Sequence, residues 1–191
     1  MRLGDVGQIV SGGTPDSTDP SCWDGNIPWA TPTDITKLQT RYISTTARNL
    51  TEKGVKTSSA HILPAGAILV CTRATIGALA IARNPIATNQ GFKSVILRDF
   101  HDVEFFYYLL SHNENVMRRL ANGSTFLEIS KADFESMTFL VPTTEEQKTI
   151  ATVLNDADAE ITTLEIQITR LQAEKKALMQ QLLTGQKRLA V

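Results

Sequence analysis

Positions 150, 154, 157, 161, 164, 168, 171, 175, 178 and 182 read Ile, Leu, Ala, Ile, Leu, Ile, Leu, Lys, Leu and Leu. The steps alternate four and three residues throughout. A strict 3.5-residue apolar repeat forms the a/d seam of a coiled coil, because only supercoiling keeps such a stripe turned toward a partner. Lys175 alone interrupts it, and its long aliphatic stem lets the charge reach solvent. A helix from Glu145 to Thr184 would span about 60 Å at 1.5 Å per residue. One with a single apolar stripe is marginal alone in water. The seam therefore calls for a second helix, with Ile150, Leu154, Ala157, Ile161, Leu164, Ile168, Leu171, Leu178 and Leu182 as its expected pairing residues. Thr143 and Glu146 have capping-box spacing, and Gly185 suits the C-cap. Asn155, with Asp158 three residues on, could cap a second helix. One continuous helix and a short helix followed by a long one both stay open.

The preceding residues read as a mixed domain. Residues 1–34 are rich in turn signals: Gly12-Gly13, Thr14-Pro15, Asp19-Pro20, Asp24-Gly25 and Ile27-Pro28. Trp23 and Trp29 are expected to pack this segment down, since each can bury roughly 150–250 Å². Residues 62–98 predict short strands, notably Ala67–Thr72 and Gly91–Leu97, from their β-branched content. In the second, Phe92, Ser94 and Ile96 would face one way and Lys93, Val95 and Leu97 the other. Residues 102–120 carry helical spacing that Asn122-Gly123 stops. Phe126, Ile129, Phe134, Met137, Phe139 and Val141 suggest short elements that complete the core, and Pro142 ends it. The expected fold is α+β, with a globular domain over 1–142 and a long helical region, suited to pairing with another helix, over 143–191.

Net charge is -1, but the charges are segregated. Residues 35–98 hold nine Lys or Arg and one acid; residues 99–160 hold twelve acids and four bases. A basic stretch inside a neutral chain is the footprint expected of a nucleic-acid binder. Folding that interleaves the two stretches would erase it, and charge alone leaves both readings open.

The most apolar stretch, Ile62–Ile81, is broken by Pro64, Arg73 and two glycines, too short and interrupted for the roughly 20 apolar residues of a span. The first residues lack a signal peptide's apolar core. Cys22 and Cys71 form no metal cluster or disulfide framework; a bridge between the two stays open, and two reduced thiols of a cytoplasmic protein are the favoured reading. No dinucleotide fingerprint, P-loop or zinc spacing is present. His61, His101 and His112 have no partners at ligand spacing and read as surface residues. No catalytic group, metal or cofactor is expected.

Several stretches, taken in order, resemble the DNA-specificity (S) subunit of type I restriction-modification systems. They are GGTPDSTDPSCWDGNIPWATPTDI at 12–35, ILPAGAILVCTRATIGALAI at 62–81, NQGFKSV at 89–95, NGS at 122–124, FLVPTTEEQKTIATVLNDADAEI at 139–161 and LMQQLLTGQKR at 178–188. The chain looks like one half of such a subunit, with one target-recognition domain and one long helix. It is then either a separately encoded half-length subunit, which Met1 favours, or the second half of a longer one.

The resemblance implies a non-catalytic protein that reads one half of a split site on double-stranded DNA. It implies paired antiparallel helices that act as a spacer and dock methyltransferase subunits, with a restriction subunit joining them. Two copies joined through their helices would form a homodimer. DNA-contact candidates are Lys37, Arg41, Lys53, Lys56, Arg73 and Lys93, with Thr31, Thr33 and Asn89 nearby in sequence. A dimeric DNA-binding or protein-interaction module outside restriction-modification is the alternative.

Overall fold

The computed structural model describes residues 1–123 and 127–188. The chain divides into two units, Met1–Lys148 and Thr149–Val191. Ser124 and Phe126, named above from sequence, lie outside the described residues.

The first unit is α+β. Its strands are β1 (Gly7–Ser11), β2 (Trp23–Ala30), β3 (Tyr42–Ile43), β4 (Arg48–Leu50), β5 (Ile68–Val70), β6 (Leu79–Ala82), β7 (Ala87–Thr88) and β8 (Lys93–Leu97). They form a five-stranded sheet in the order β1-β8-β5-β6-β3 and a three-stranded sheet in the order β4-β2-β7. Its helices are α1 (Leu3–Val6), α2 (Pro32–Thr36), α3 (Glu52–Lys56), α4 (Val103–His112), α5 (Glu114–Leu120) and α6 (Lys131–Ser136).

The strand-rich reading of 62–98 matches β5 to β8, although β5 and β8 are shorter than the sequence suggests. The expected alternation along β8 is blurred. Phe92, Lys93, Ser94 and Val95 are all buried, so both faces of this inner strand are covered. One core cluster joins Phe92, Leu69, Leu63, Ile86 and Ile43. A second joins both tryptophans with Cys22, Leu50 and Ala87.

The turn-rich N-terminal segment contains β2, an eight-residue strand that its Gly and Pro conceal. Trp23 and Ile27 both pair with Leu50, so the intervening residues bulge out, and Asp24 has φ 58°. A bulge lets a strand carry turn residues without ending. The tryptophans stack edge-on at 5.0 Å. Their indole N–H groups donate to Asp16 O at 2.9 Å and Gly13 O at 3.0 Å, which pins the 12–19 segment to the domain.

The helical run at 102–120 is two helices rather than one. Asn113 leaves helical geometry between α4 and α5, and its side-chain amide donates to Leu109 O at 2.7 Å. Asparagine offers the backbone this local alternative, so it favours helix ends. His101 also departs from a surface position. It is half-buried, with ring centroids 4.4 Å from Phe100 and 5.1 Å from Phe106.

The last helix, α7 (Thr144–Leu183), runs 40 residues without interruption at Asn155–Asp158. At its start the Glu146 amide donates to Thr143 Oγ1 at 3.4 Å. Gln147, in the first unit, is 1 % exposed; it accepts from the Asp102 amide at 3.0 Å and donates to Pro142 O at 2.9 Å. At its end Gly185 takes φ 73°, which suits glycine, and Lys187 N returns to Gln181 O at 3.0 Å. Within the second unit, seam residues Leu154, Ile161, Leu164, Ile168, Leu171, Leu178 and Leu182 are 36 to 63 % exposed.

Candidate nucleic-acid interface

Four turns of the first unit converge. Residues 12–14 follow β1, α2 follows β2, residues 72–77 link β5 to β6, and residues 89–91 link β7 to β8.

Each turn has a local cause. Thr31 caps α2 and Pro32 opens it with a preset φ. Asp34 Oδ2 accepts from Thr31 N at 2.8 Å and from Thr31 Oγ1 at 2.6 Å, while its Oδ1 accepts from Ala47 N at 2.9 Å. In the 72–77 turn both Ala74 (φ 63°) and Gly77 (φ 93°) are left-handed. In the 89–91 turn Asn89 Oδ1 accepts from Gly91 N at 2.9 Å, and Asn89 N donates to Ala30 O at 3.0 Å.

The turns approach each other closely. A Cβ on Gly12 would lie 1.8 Å from Asn89 O, so only glycine allows that contact. A Cβ on Gly91 would lie 3.7 Å from Pro32 Cγ and 3.9 Å from Arg73 Cβ. Thr14 Oγ1 donates to Gln90 Oε1. Thr72 N donates to Gly91 O at 2.8 Å.

This arrangement brings together Thr31, Thr33, Arg73, Asn89 and Lys93 from the sequence candidates, with Lys37 capping the end of α2. Thr33 and Lys37 are exposed, whereas Thr31, Arg73 and Asn89 are half-buried. The structure adds Thr14 and Gln90, both exposed. Gln90 was legible in principle, since it sits inside the Asn89-Gln90-Gly91 turn and glutamine pairs bidentately with adenine.

Lys93 is engaged there, and the remaining candidates lie elsewhere or are engaged. Arg41 Nη1 meets Glu104 Oε2 at 2.9 Å, with the two side chains 15 and 17 % exposed. Its guanidinium lies 5.0 to 6.0 Å from the ring centroids of all three tyrosines, Tyr42, Tyr107 and Tyr108. Lys93 Nζ meets Glu128 Oε1 at 2.9 Å. Lys53, on α3, pairs with Asp19 at 3.0 Å, and Lys56 with Glu52 at 3.4 Å. α3 packs beside Cys22, at the opposite end of β2 from α2. Folding thus interleaves part of the basic stretch with acids. Lys37, Arg48 and Arg83 remain exposed and form no ion pair among the described residues, though Arg48 lies 3.5 Å over the Trp23 ring and Arg83 4.3 Å over Tyr42.

Little here suits covalent or acid-base chemistry. Burial pushes the Cys71 thiol up to about 12, away from reactive thiolate. Burial also holds His101 below the ordinary histidine range, against a smaller opposing effect of Gln147. Both cysteines are free and buried. Among the described residues no group of three or more His, Cys, Asp or Glu could hold a metal ion, and no helix is long and apolar enough to cross a membrane.

Comparison with known proteins agrees with this architecture. A family model described as the type I restriction modification DNA specificity domain matches residues 1–172. The type I restriction enzyme MjaIX specificity subunit of Methanocaldococcus jannaschii is 40 % identical over 159 residues, covering 82 % of this chain and 37 % of that protein. The EcoR124I/EcoR124II specificity subunit of Escherichia coli is 28 % identical over 163 residues, covering 82 % and 40 %. A solved structure described as "Structural basis underlying complex assembly and conformational transition of the type I R-M system" superposes with TM-score 0.75 at 25 % identity, covering 94 % of this chain and 43 % of that one. The HsdS subunit from Thermoanaerobacter tengcongensis shares the fold, with TM-score 0.73 at 22 % identity and coverage of 96 % and 43 %. The chain spans about two-fifths of the curated relatives it matches. With a family match extending from the turn-bearing unit through most of α7, the chain belongs to the type I restriction-modification DNA specificity family.

Proposed function

We propose that the chain is a non-catalytic DNA-specificity subunit that reads one half of a bipartite duplex site. The observation that carries this is the family match, which covers the turn-bearing unit and most of the seam-bearing helix together. Residues 1–142 would be the target-recognition domain and residues 143–191 the spacer. Thr33, Lys37 and Gln90 are the exposed residues best suited to meet DNA at the four turns, with Arg73 and Asn89 beside them. Phosphate contacts orient a protein on the duplex, and base-edge contacts specify sequence. Lys53 and Lys56, at the other end of β2, would add only phosphate contacts.

The exposed seam supports antiparallel pairing with a second copy. Two identical readers related by a two-fold axis recognise a palindromic, interrupted site, because protein symmetry maps onto DNA symmetry. The spacer would also dock methyltransferase subunits, and a restriction subunit would join them.

Reconstitution with the cognate methyltransferase, followed by mapping of methylated positions in random DNA, tests partner, half-site and spacing together. Methylation confined to an interrupted palindrome is the expected result. Binding to DNA with no methyltransferase association would instead place the chain among DNA-binding modules outside restriction-modification.

A further inference from the structure

We infer that Lys93 is a positioning residue whose buried ammonium, paired with Glu128, sets the geometry of the DNA-reading turns without touching phosphate. The inference rests on the DNA-reading function proposed above. Lys93 is the first residue of β8, two residues after the Asn89–Gly91 turn. Its side chain is 7 % exposed and that of Glu128 is 38 % exposed. The ammonium lies 2.9 Å from Glu128 Oε1 and donates to Thr72 Oγ1 at 3.4 Å.

Each partner belongs to a different segment. Thr72 opens the 72–77 turn; its amide donates to Gly91 O at 2.8 Å and its carbonyl accepts from Ile129 N at 3.0 Å. Glu128 exchanges two backbone hydrogen bonds with Asn122, both 3.0 Å, and forms an isolated bridge with Arg73. One ammonium therefore ties the 72–77 turn, the turn before β8 and the Asn122/Glu128 pair.

Burying a charge is costly unless it is paired, and an apolar pair of similar volume often packs as well. What the ion pair adds is directed geometry. A recognition site needs that geometry, because its contacts must be held within about 0.5 Å. A lysine meant for phosphate would instead present its ammonium to solvent. This one is buried and directed to Glu128 and Thr72.

The test uses the full chain and two duplexes, one carrying the site mapped by methylation and one with its half-sites scrambled. Binding is measured across a range of KCl concentrations, together with thermal melting. Lys93→Met/Glu128→Gln removes both charges at once, so neither is left buried alone. It should stay folded, lose about tenfold in preference for the mapped site, and keep the wild-type salt slope. Glu128→Asp keeps both charges but shortens the link. It should fold and lose preference several-fold, again with an unchanged slope, and it decides the matter should the double variant fail to fold. A slope shallower by about 0.9 in the double variant would make Lys93 a phosphate contact and overturn the inference. So would an unchanged preference in Glu128→Asp. A wild-type chain with no preference between the duplexes would instead overturn the DNA-reading function itself.

Discussion

Apolar side chains are treated in opposite ways in the two units. In the first, Phe92, Phe106 and Phe134 are fully buried. In the second, Ile161, Leu164, Ile168 and Leu171 stand about half exposed in a row. Scattered exposed leucines are ordinary; a contiguous apolar stripe marks a surface made to be covered. The first unit buries its largest apolar side chains and leaves polar turns at its surface. The helix leaves its apolar stripe exposed.

Substitutions on each side of this contrast should have separate consequences. The largest effect belongs to the core. Phe92→Ala should destabilise the first unit by about 3–5 kcal/mol, since it removes a large buried ring and leaves a cavity. Urea unfolding followed by tryptophan fluorescence reads this directly, because Trp23 and Trp29 both lie in the first unit. Pairing of α7 should be little changed where the first unit is still folded. A simultaneous loss of both would merge the two units into one cooperative body and break the contrast.

Next comes the seam. Leu164→Ala should weaken helix pairing by about 2 kcal/mol or more, roughly thirtyfold in the dissociation constant. Sedimentation equilibrium measures it. The urea midpoint of the tryptophan signal should barely move. A wild-type chain that is strictly monomeric at micromolar concentration would remove the second copy as the partner.

A finer comparison separates two cations that look alike in sequence. Lys37 is exposed without an ion pair among the described residues, whereas Arg41 is held by Glu104. Lys37→Gln should weaken DNA binding and make its salt dependence shallower by up to about 0.9 in slope. Arg41→Gln should leave the slope unchanged and lower the urea midpoint, because it takes the counter-charge from a largely buried carboxylate and leaves it the Tyr42 hydroxyl. Equal slope changes for the two would erase the distinction.

Legibility followed the range of the interactions. The seam was readable because a heptad depends only on residues three and four apart, and Gly185 marked its end by the same local logic. Continuity at Asn155–Asp158 was not readable, since capping residues favour a helix end without forbidding a helix interior. β2 was hidden because its Asp24-Gly25 and Ile27-Pro28 signals sit in and beside a bulge that only pairing with β4 reveals. The candidate interface was half legible. NQG and TRATIG stood out only as pieces of the family resemblance; that both form turns, and that these meet α2, depends on sheet order. Charge segregation showed that cations were concentrated in 35–98; it did not show that Glu104 and Glu128 would engage Arg41 and Lys93.

The smallest expected effect separates the units by pH. Burial holds His101 below its ordinary value of 6.5, with Arg98 acting in the same direction and Gln147 against it. The folded first unit therefore binds fewer protons here than the unfolded chain. Its stability should be complete above pH 6.5 and decline as pH falls through 6.5 toward the lower folded value. Residues 150–182 contain no histidine, so pairing of α7 has no matching source of pH dependence in that interval. Urea midpoints and sedimentation measured between pH 7.5 and about 5.5, above most carboxylate titration, should show only the first declining. His101→Gln, which keeps a polar side chain but no titrating group, should flatten that decline. If the slope survives the substitution, another group in the first unit is its source.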